Sequence, residues 1–323
     1  MDTRIRFVVK GTEYSIPNCW EQVHPDNFIK LLQDVELMAS GRLSVGMVRV
    51  RYVCNCMGWK LNRFHSTEAI QNLAWIAEQI TFPFIIQYPD NDAALQDLDA
   101  NTRSLCKRID PSRLKGVGIS RYLQRLPYKY MLDSCFCAQL VPTVEAIGKF
   151  YSAYKINSSF GQLTCSLTAL QFIEARKVAA GNPDLLPLLA AILYYPGRYS
   201  SEGAQQLALD FANLPSKLLK AIAFNFRAFV NFLFSKTEYR LLTAVNADHE
   251  SAISTGALES LYNLSADGFG TANDVEQMNL LQYLTIIRKK LIESVRSLYA
   301  TKMQLADIEK ETGLPIHIIR QIV

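Results

Sequence analysis

The stretch LTALQFIEARKVAAGNPDLLPLLAAILYYPGRYSSEGAQQLALDFANLPSKLLKAIAFNF, residues 167–226, decides the fold of this protein. Apolar residues recur in it at helical spacing, and prolines interrupt the pattern at Pro183, Pro196 and Pro215. A further helix is predicted near residues 131–154. The centre of the chain is therefore expected to be a bundle of short helices. The helices predicted in and around the stretch cover residues 166–180, 184–194, 201–211 and 215–243.

The amino-terminal region is predicted to mix strands and helices. Residues 4–16, RIRFVVKGTEYSI, alternate on either side of a Lys-Gly pair, and this pattern predicts a β-hairpin. Apolar residues at helical spacing after Pro25 predict the first helix. In MVRVRYVCNCMGW, residues 47–59, helix and strand both remain open. Residues 84–88, FIIQY, are predicted to share a small sheet with the hairpin.

The carboxyl-terminal region combines a polar segment, a long amphipathic helix and a pattern typical of a helix-turn-helix. Residues 246–272 are polar and glycine-spotted, which predicts a linker or mobile loop. Asn273 and Glu276 match a capping box that opens the long helix. In LADIEKETGLPIHIIRQIV, residues 305–323, Gly313 fits the turn between two helices. The apolar positions expected to hold these two helices together are Ile308, Leu314, Ile319 and Ile322.

These patterns together predict a mainly α-helical protein in four regions. Along the chain they are a small amino-terminal α+β unit with a short hairpin, a helical bundle, the polar linker, and the long helix with its helix-turn-helix-like pair. With 323 residues and 49% apolar composition, the chain is long enough to bury a substantial core. The predicted boundaries are residues 1–100, 101–245, 246–272 and 273–323.

The charge balance of the whole chain does not by itself predict a strongly charged partner. It has 34 basic and 30 acidic residues, and this formal charge of +4 is too small to imply nucleic acid or an anionic membrane. Two apolar stretches do not fit a membrane span, which needs about 20 consecutive apolar residues. Residues 185–196 are too short for this, and residues 219–234 include the polar Asn225 and the charged Arg227. The amino terminus has no apolar segment of a secretory signal. We therefore expect a cytoplasmic protein without a membrane partner.

Cysteine spacing does not predict a metal site. Two C-x-C pairs, Cys54/Cys56 and Cys135/Cys137, are present, whereas zinc sites favour C-x2-C spacing with further ligands nearby. Seven scattered cysteines in apolar stretches instead predict buried, reduced thiols. The sequence also lacks nucleophile and phosphate-binding motifs. We expect no enzyme activity, no metal and no other cofactor. The histidines, none at ligand spacing to either pair, are His24, His65, His249 and His317.

The helix-turn-helix-like ending has two alternative uses. Residues 281–323 contain seven basic and four acidic side chains, a modest surplus that favours contact with phosphates. Ile316 and Ile318, however, stand where base-reading polar residues usually lie, which favours contact with a protein. Protein contact or packing within the chain is the preferred interpretation, and DNA binding remains the alternative. The candidate nucleic-acid contacts are Arg288, Lys289, Lys290, His317, Arg320 and Gln321.

Two stretches of the sequence carry motifs of one known family. The first, residues 10–31, has the pattern I-P-x-x-W-x-x-V-x-x-x-x-F. The second, residues 167–226, has L-T-x-x-Q-F/Y-I, then Y-x-P, then F-x-x-L-P. With these motifs the chain resembles the tail assembly chaperone-like proteins of tailed phages and prophages. The matching residues are Ile16, Pro17, Trp20, Val23 and Phe28 in the first stretch, and Leu167, Thr168, Gln171, Phe172, Ile173, Tyr194, Pro196, Phe211, Leu214 and Pro215 in the second.

The resemblance implies a role in virion assembly without catalysis. A cytosolic helical protein of this kind holds an aggregation-prone protein partner, such as a tape-measure protein, until the tail is built. Apolar helical surfaces would provide the contact. The chain departs from the family pattern in the basic connector at residues 107–129 and in the helix-turn-helix-like ending.

Overall fold

The protein is mainly α-helical, with short two-stranded antiparallel hairpins among its helices. A computed structural model describes residues 3–89, 93–159, 161–244 and 259–323. Helices account for 57% of the structure, which confirms the predicted fold class. The chain forms two compact units, Met1–Ser134 and Cys135–Val323, whereas the sequence patterns predicted four regions.

The first unit opens with the predicted hairpin. Strands β1 (Ile5–Val9) and β2 (Thr12–Ile16) pair antiparallel. Lys10 and Gly11 connect them with φ angles of 50° and 81°. These left-handed conformations are the ones that a two-residue type I′ turn requires, and glycine adopts them without strain. The Lys-Gly pair therefore fixes the turn and, with it, the register of the strands.

Three helices follow the hairpin: α1 (Pro25–Ala39), α2 (Val45–Met57) and α3 (Thr67–Glu78). The stretch at residues 47–59 is thus largely helical rather than extended. Ser44 caps α2, because its hydroxyl oxygen accepts a backbone N–H hydrogen bond at 3.2 Å. Val48 and Tyr52 are buried one helical turn apart. The buried face of this stretch therefore has the period of a helix.

The strand predicted near residue 84 pairs with a later segment and not with the hairpin. Strand β3 (Phe84–Gln87) runs antiparallel to β4 (Lys129–Leu132), with Ile86 opposite Tyr130. The prediction of a sheet shared by residues 4–16 and 84–88 is wrong. Alternating residues at the end of the basic connector supply the partner strand instead.

The basic connector folds into the first unit. Helix α4 (Ala100–Arg108) leads into it, and helix α5 (Ser120–Leu123) lies within it. Buried side chains from this segment form a small core with Ile86 and Tyr88. Because β4 and this core tie the connector to β3, residues 101–134 belong to the first unit and not to the helical bundle.

Two hairpins open the second unit: β5 (Thr143–Ala146) with β6 (Lys149–Ser152), and β7 (Ile156–Ser159) with β8 (Gln162–Cys165). The predicted helix near residues 131–154 is therefore wrong. Ile147 and Gly148 have φ angles of 49° and 68°, so they form another tight turn. β-branched and aromatic residues such as Val144 and Tyr151 flank this turn and favour strands over a helix.

The helices predicted within residues 167–226 are present. They are α6 (Ala169–Ala179), α7 (Leu186–Leu193), α8 (Ser201–Phe211) and α9 (Ser216–Lys236). A capping box between Thr168 and Gln171 starts α6. Phe172 and Phe226 are buried with their ring centroids 6.2 Å apart, in an edge-to-face arrangement. Their rings join the aromatic core of the second unit.

Helix α9 serves as a core helix of the second unit. In the described part of the chain it is the one helix long and apolar enough to cross a membrane, by length and composition alone. Of its most apolar 18-residue window, 56% is buried within the protein. Asn225 on the buried face hydrogen bonds to the backbone of Ala138 and Leu140. This burial agrees with the prediction that α9 packs in a core.

The carboxyl-terminal part of the second unit consists of α10 (Glu259–Ala266), α11 (Ala272–Glu276), α12 (Leu280–Ala300), α13 (Leu305–Thr312) and α14 (Ile316–Ile322). Part of the predicted linker, residues 246–258, lies outside the described residues. Its later part is folded, because Leu261 and Leu264 of α10 are buried.

The capping box predicted at Asn273 and Glu276 is wrong. Thr271 and Asp274 form a capping box instead, and the Thr271 hydroxyl accepts the Asp274 N–H at 3.2 Å. This box starts the short helix α11. The long helix α12 begins separately at Leu280, and the side chain of Asn279 caps it. The capping box thus lies two residues earlier in the chain than predicted, and it starts the short helix α11 rather than the long helix α12.

A bridge ties the start of α12 to the start of α6. The Ala169 N–H donates to the Met278 carbonyl at 2.8 Å, and the Leu280 N–H donates to the Leu167 carbonyl at 2.9 Å. The Asn279 side-chain amide donates to the carbonyl of Cys165. Helix α12 is therefore built into the body of the second unit. Its buried side chains are Leu280, Tyr283, Leu284, Ile287, Leu291 and Val295.

Candidate functional site

The carboxyl-terminal pair forms the predicted helix-turn-helix-like arrangement. Helices α13 and α14 meet at Gly313, which has a φ angle of 70°. Ile308, Leu314 and Ile319 are fully buried, as expected for side chains that hold the two helices together. The pair packs against α12, where the Arg296 side chain donates to a backbone carbonyl of α14 at 3.3 Å.

The polar side chains predicted to read DNA lie on one exposed face of α14. His317, Arg320 and Gln321 are exposed, and their spacing places them on the same side of the helix. Ile316, one of the two predicted protein contacts, is half-buried, as is Ile318. A carboxylate also lies at the start of α14, because the Ile316 N–H donates to Glu309 Oε1 at 3.2 Å. A DNA phosphate at this helix start would therefore meet a negative charge.

The basic triplet on α12 is largely neutralised by neighbouring acids. Arg288 Nη1 lies 3.0 Å from Glu238 Oε2, and Lys290 forms an ion pair with Asp267. Lys289 is exposed. Arg288 also lies about 12 Å along the axis of α12 from Arg296, which contacts α14. The structure thus leaves two of the three predicted phosphate contacts paired within the protein.

The cysteines do not assemble a metal centre in the described ranges. All seven are free thiols. Burial raises the pKa of Cys54 and Cys106, and it raises the pKa of Cys165 to about 12. Within residues 3–89, 93–159, 161–244 and 259–323, no group of three or more His, Cys, Asp or Glu side chains is placed to hold a metal ion.

The first unit contains an open groove of about 770 Å³ between the β1–β2 hairpin and α3, here called the aromatic groove. Trp59 lines this groove, and its ring centroid lies 6.2 Å from that of Phe7, 5.9 Å from that of Tyr14 and 5.8 Å from that of Phe64. All three ring pairs are edge-to-face. The lining of the groove also includes Val8, Lys10, Lys60, Arg63, Glu68, Leu73 and Trp75.

Apolar surface in the aromatic groove is open to solvent. Trp75 is 61% exposed and Val8 is 66% exposed. Three cations, Lys10, Lys60 and Arg63, line the groove together with a single acid, Glu68. A contiguous apolar surface with a polar rim is typical of a binding site for another molecule. The positive surplus favours a partner with acidic groups.

A second groove of about 410 Å³ lies between α2 and α3. It shares Phe64 and Leu73 with the aromatic groove. Its lining includes Met47, Leu61 and Ile70, which are 41%, 42% and 51% exposed. The two grooves therefore run along adjacent sides of α3 and extend the exposed apolar surface.

Sequence patterns missed the aromatic groove. The available signal was in α3, where Leu73, Ile76 and Ala77 form the buried stripe while Ile70 and Trp75 lie outside it. Two large apolar side chains off the buried face indicate a contact surface. The groove itself forms only when the hairpin meets α3, and local periodicity does not encode that meeting.

Comparison with known proteins adds no relative. The chain matches no protein-family model, no curated protein and no solved structure. The motif residues that resemble tail assembly chaperones in the first unit, Ile16, Trp20, Val23 and Phe28, are buried. These residues support the core and do not form a surface.

Proposed function

We propose that the chain is a non-enzymatic assembly protein that binds an apolar segment of a partner protein. This is the role that the resemblance to phage and prophage tail assembly chaperones implies. The partner is a tail component such as a tape-measure protein, held in the cytoplasm until the tail is built. The proposal includes no catalytic step, no cofactor and no membrane.

The aromatic groove is the observation that carries this proposal. Its aromatic floor offers edges and faces to an incoming apolar side chain, and Trp75 leaves a large apolar area in solvent. The cations along the groove outnumber the acid, so the bound segment is expected to carry acidic residues beside its apolar ones. Burial of Trp75 would supply much of the affinity, because tryptophan is enriched among residues that dominate interfaces.

Co-expression with the tape-measure protein of the same phage or prophage tests the proposal. We expect the two proteins to purify together from cell extract. Trp75→Glu should weaken the complex at least about tenfold, because it places a carboxylate in the apolar contact. The matched control is Tyr262→Glu, since Tyr262 is a helical aromatic residue with the same 61% exposure in the second unit. Absence of a complex, or equal loss in both variants, would contradict the proposal.

The exposed polar face of α14 supports a second candidate, a DNA-binding accessory or regulatory protein. This candidate predicts salt-dependent retention of the full chain on duplex DNA. Retention should disappear when His317, Arg320 and Gln321 are replaced by alanine together. Point substitutions are the better test, because removal of residues 281–323 would also remove the buried residues of α12. The ion pairs of Arg288 and Lys290 favour the assembly role over this candidate.

A further inference from the structure

A cavity of about 310 Å³ in the first unit lies next to the second groove and shares Arg49 and Glu78 with it. Arg108 and Arg113 also line this cavity, together with Gln79 and Asp110. The cavity is larger than the roughly 30 Å³ that a water molecule occupies in the liquid. It is here called the arginine cavity.

Arg49 is an unusual cation in this cavity. Only 8% of the residue is exposed, and its guanidinium carbon lies 5.8 Å from the Phe84 ring centroid and 5.4 Å from that of Tyr130. Its Nε is buried without an acceptor among the residues the structure describes. Burial lowers the pKa of Arg49 most strongly; Tyr130 and the carboxylate of Asp110 act against this shift, and the positive charge of Arg113 adds to it. The two rings position the guanidinium but do not neutralise it.

A second buried donor lines the same cavity. The side-chain nitrogen Nε2 of Gln79 is buried and has no acceptor in the described ranges. Buried donors of this kind are destabilising unless an acceptor reaches them. Arg49 lies in α2, and Gln79 is the residue that follows the end of α3. The packing of α2 against α3 therefore places both donors in the lining of one cavity.

The neighbouring charges of the cavity already have partners. Arg113 forms an ion pair with Glu78, and Arg108 Nη2 lies 2.6 Å from Asp133 Oδ2. Asp110 accepts hydrogen bonds from the Tyr130 hydroxyl at 2.7 Å and from the Tyr128 hydroxyl at 3.1 Å. Its remaining oxygen accepts the backbone N–H and the hydroxyl of Ser112. Among the described residues, none of these acids accepts a hydrogen bond from Arg49 Nε or Gln79 Nε2.

We propose that the arginine cavity binds an oxyanion, a phosphate or a carboxylate group, between Arg49 and Gln79. Such a group supplies the acceptors that both buried donors lack and adds a negative charge beside the Arg49 guanidinium to that of Asp110. Arginine is well suited to this because its planar donors match the oxygens of carboxylate and phosphate. The lining of the cavity contains three arginines and two carboxylates, Glu78 and Asp110.

Calorimetric titration of the full chain with inorganic phosphate and, separately, with acetate tests this site. We expect saturable binding of at least one anion with one site per chain. The tighter anion identifies whether phosphate or carboxylate is the preferred group. Because no partner protein is used, the result is independent of the assembly role proposed above. Failure of both anions to bind saturably would overturn the proposal.

Substitutions locate the binding. Arg49→Met should lower the affinity at least about tenfold, because it removes a charge-assisted contact. The control is Arg176→Met in the second unit, since Arg176 is likewise held over two rings, with centroids at 5.7 Å and 5.0 Å, and has a buried unpartnered nitrogen. Arg176→Met should leave the affinity unchanged. Equal affinity in Arg49→Met and in the original chain would overturn the proposal.

Two further variants keep the test decisive if Arg49→Met does not fold. Gln79→Met should weaken anion binding about tenfold, because it removes the second donor. Glu78→Gln should strengthen binding several-fold, because it releases Arg113 from its ion pair and removes a negative charge from the lining. Circular dichroism confirms that each variant is folded. Unchanged affinity in both variants would contradict the assigned site.

Discussion

Asn225 and Leu140 are joined by a side-chain to backbone hydrogen bond in the interior of the second unit. Asn225 Oδ1 accepts the Leu140 N–H at 2.7 Å, and Asn225 Nδ2 donates to the Ala138 carbonyl at 2.6 Å. Asn225 is only 1% exposed. The amide thus satisfies two buried backbone groups of an extended segment that has no sheet partner at this point. A polar residue within the apolar helix α9 has a structural use.

Replacement of Asn225 by leucine should destabilise the second unit. The substitution leaves a backbone N–H and a backbone C=O without partners, at a cost of about 3 kcal/mol in the free energy of unfolding. Urea unfolding followed by circular dichroism measures the effect. Arg227→Ala, on the exposed side of the same helix, should change the free energy of unfolding by less than about 0.5 kcal/mol. A loss below about 1 kcal/mol for Asn225→Leu would show that the backbone groups find other partners.

Gly313 should resist substitution at the turn between α13 and α14. Its φ angle of 70° lies in the left-handed region, so Gly313→Ala should cost about 1 kcal/mol. Hydrogen exchange of the amides in α13 and α14 measures this local stability. Gly46→Ala is the contrasting variant, because the new Cβ would meet only Ser44 Oγ at 3.9 Å within helix α2. That variant should stabilise the first unit by about 0.5 kcal/mol.

Asp110 should make the first unit sensitive to acid. Burial alone would raise the pKa of Asp110, but hydrogen bonds from Ser112 and Tyr130 outweigh it and lower the pKa. Since the folded-state pKa lies below the unfolded value of about 4, the carboxylate stabilises the fold fully above that value. This stabilisation is lost as the pH falls through the lower, folded-state pKa.

Asp110→Asn should therefore lower the free energy of unfolding at pH 7 and reduce its further fall at acid pH. All three tryptophans, Trp20, Trp59 and Trp75, lie in the first unit, so tryptophan fluorescence during urea unfolding reports on that unit. The exposed Asp97 provides the control, and Asp97→Asn should keep the pH dependence of the original chain. An identical pH dependence in Asp110→Asn would contradict the assignment.

Cys165 should be unreactive in the folded protein. With a pKa of about 12, it is a thiolate in only about one molecule in ten thousand at pH 8. It is also buried. We expect a disulfide-exchange reagent at pH 8 to label Cys165 only after unfolding, as followed by peptide mass spectrometry. The half-buried Cys19 should be labelled faster. Rapid labelling of Cys165 in the folded protein would show that the second unit opens locally.

The sequence predicted those helices and turns whose ends are set by a proline or a glycine within them or beside them. Prolines at 183, 196 and 215 mark the ends of apolar helical periods, so the helices of residues 167–226 were predictable. The Lys-Gly pair likewise predicted the first hairpin, and Gly313 predicted the final turn. In each case a single residue has a strong conformational preference that tertiary packing does not override.

The rest depended on partners distant in the sequence. β3 was expected to pair with the hairpin, but the packing of residues 101–134 places β4 beside it instead. Arg49 lies in MVRVRYV, where alternating arginines indicate a solvated face, yet the meeting of α2 with Phe84 and Tyr130 buries it. The aromatic groove was missed for the same reason, since β1, β2 and α3 form it together.

The bridge between α6 and α12 bears on synthesis of the protein. The carbonyl of Cys165 accepts a hydrogen bond from the side-chain amide of Asn279, which lies 114 residues later in the chain. The helical bundle is therefore synthesised before the start of α12, which bridges to the start of α6. The apolar surface that α12 covers stays exposed until translation has passed residue 280. A nascent chain stalled before that point would expose a surface prone to aggregate.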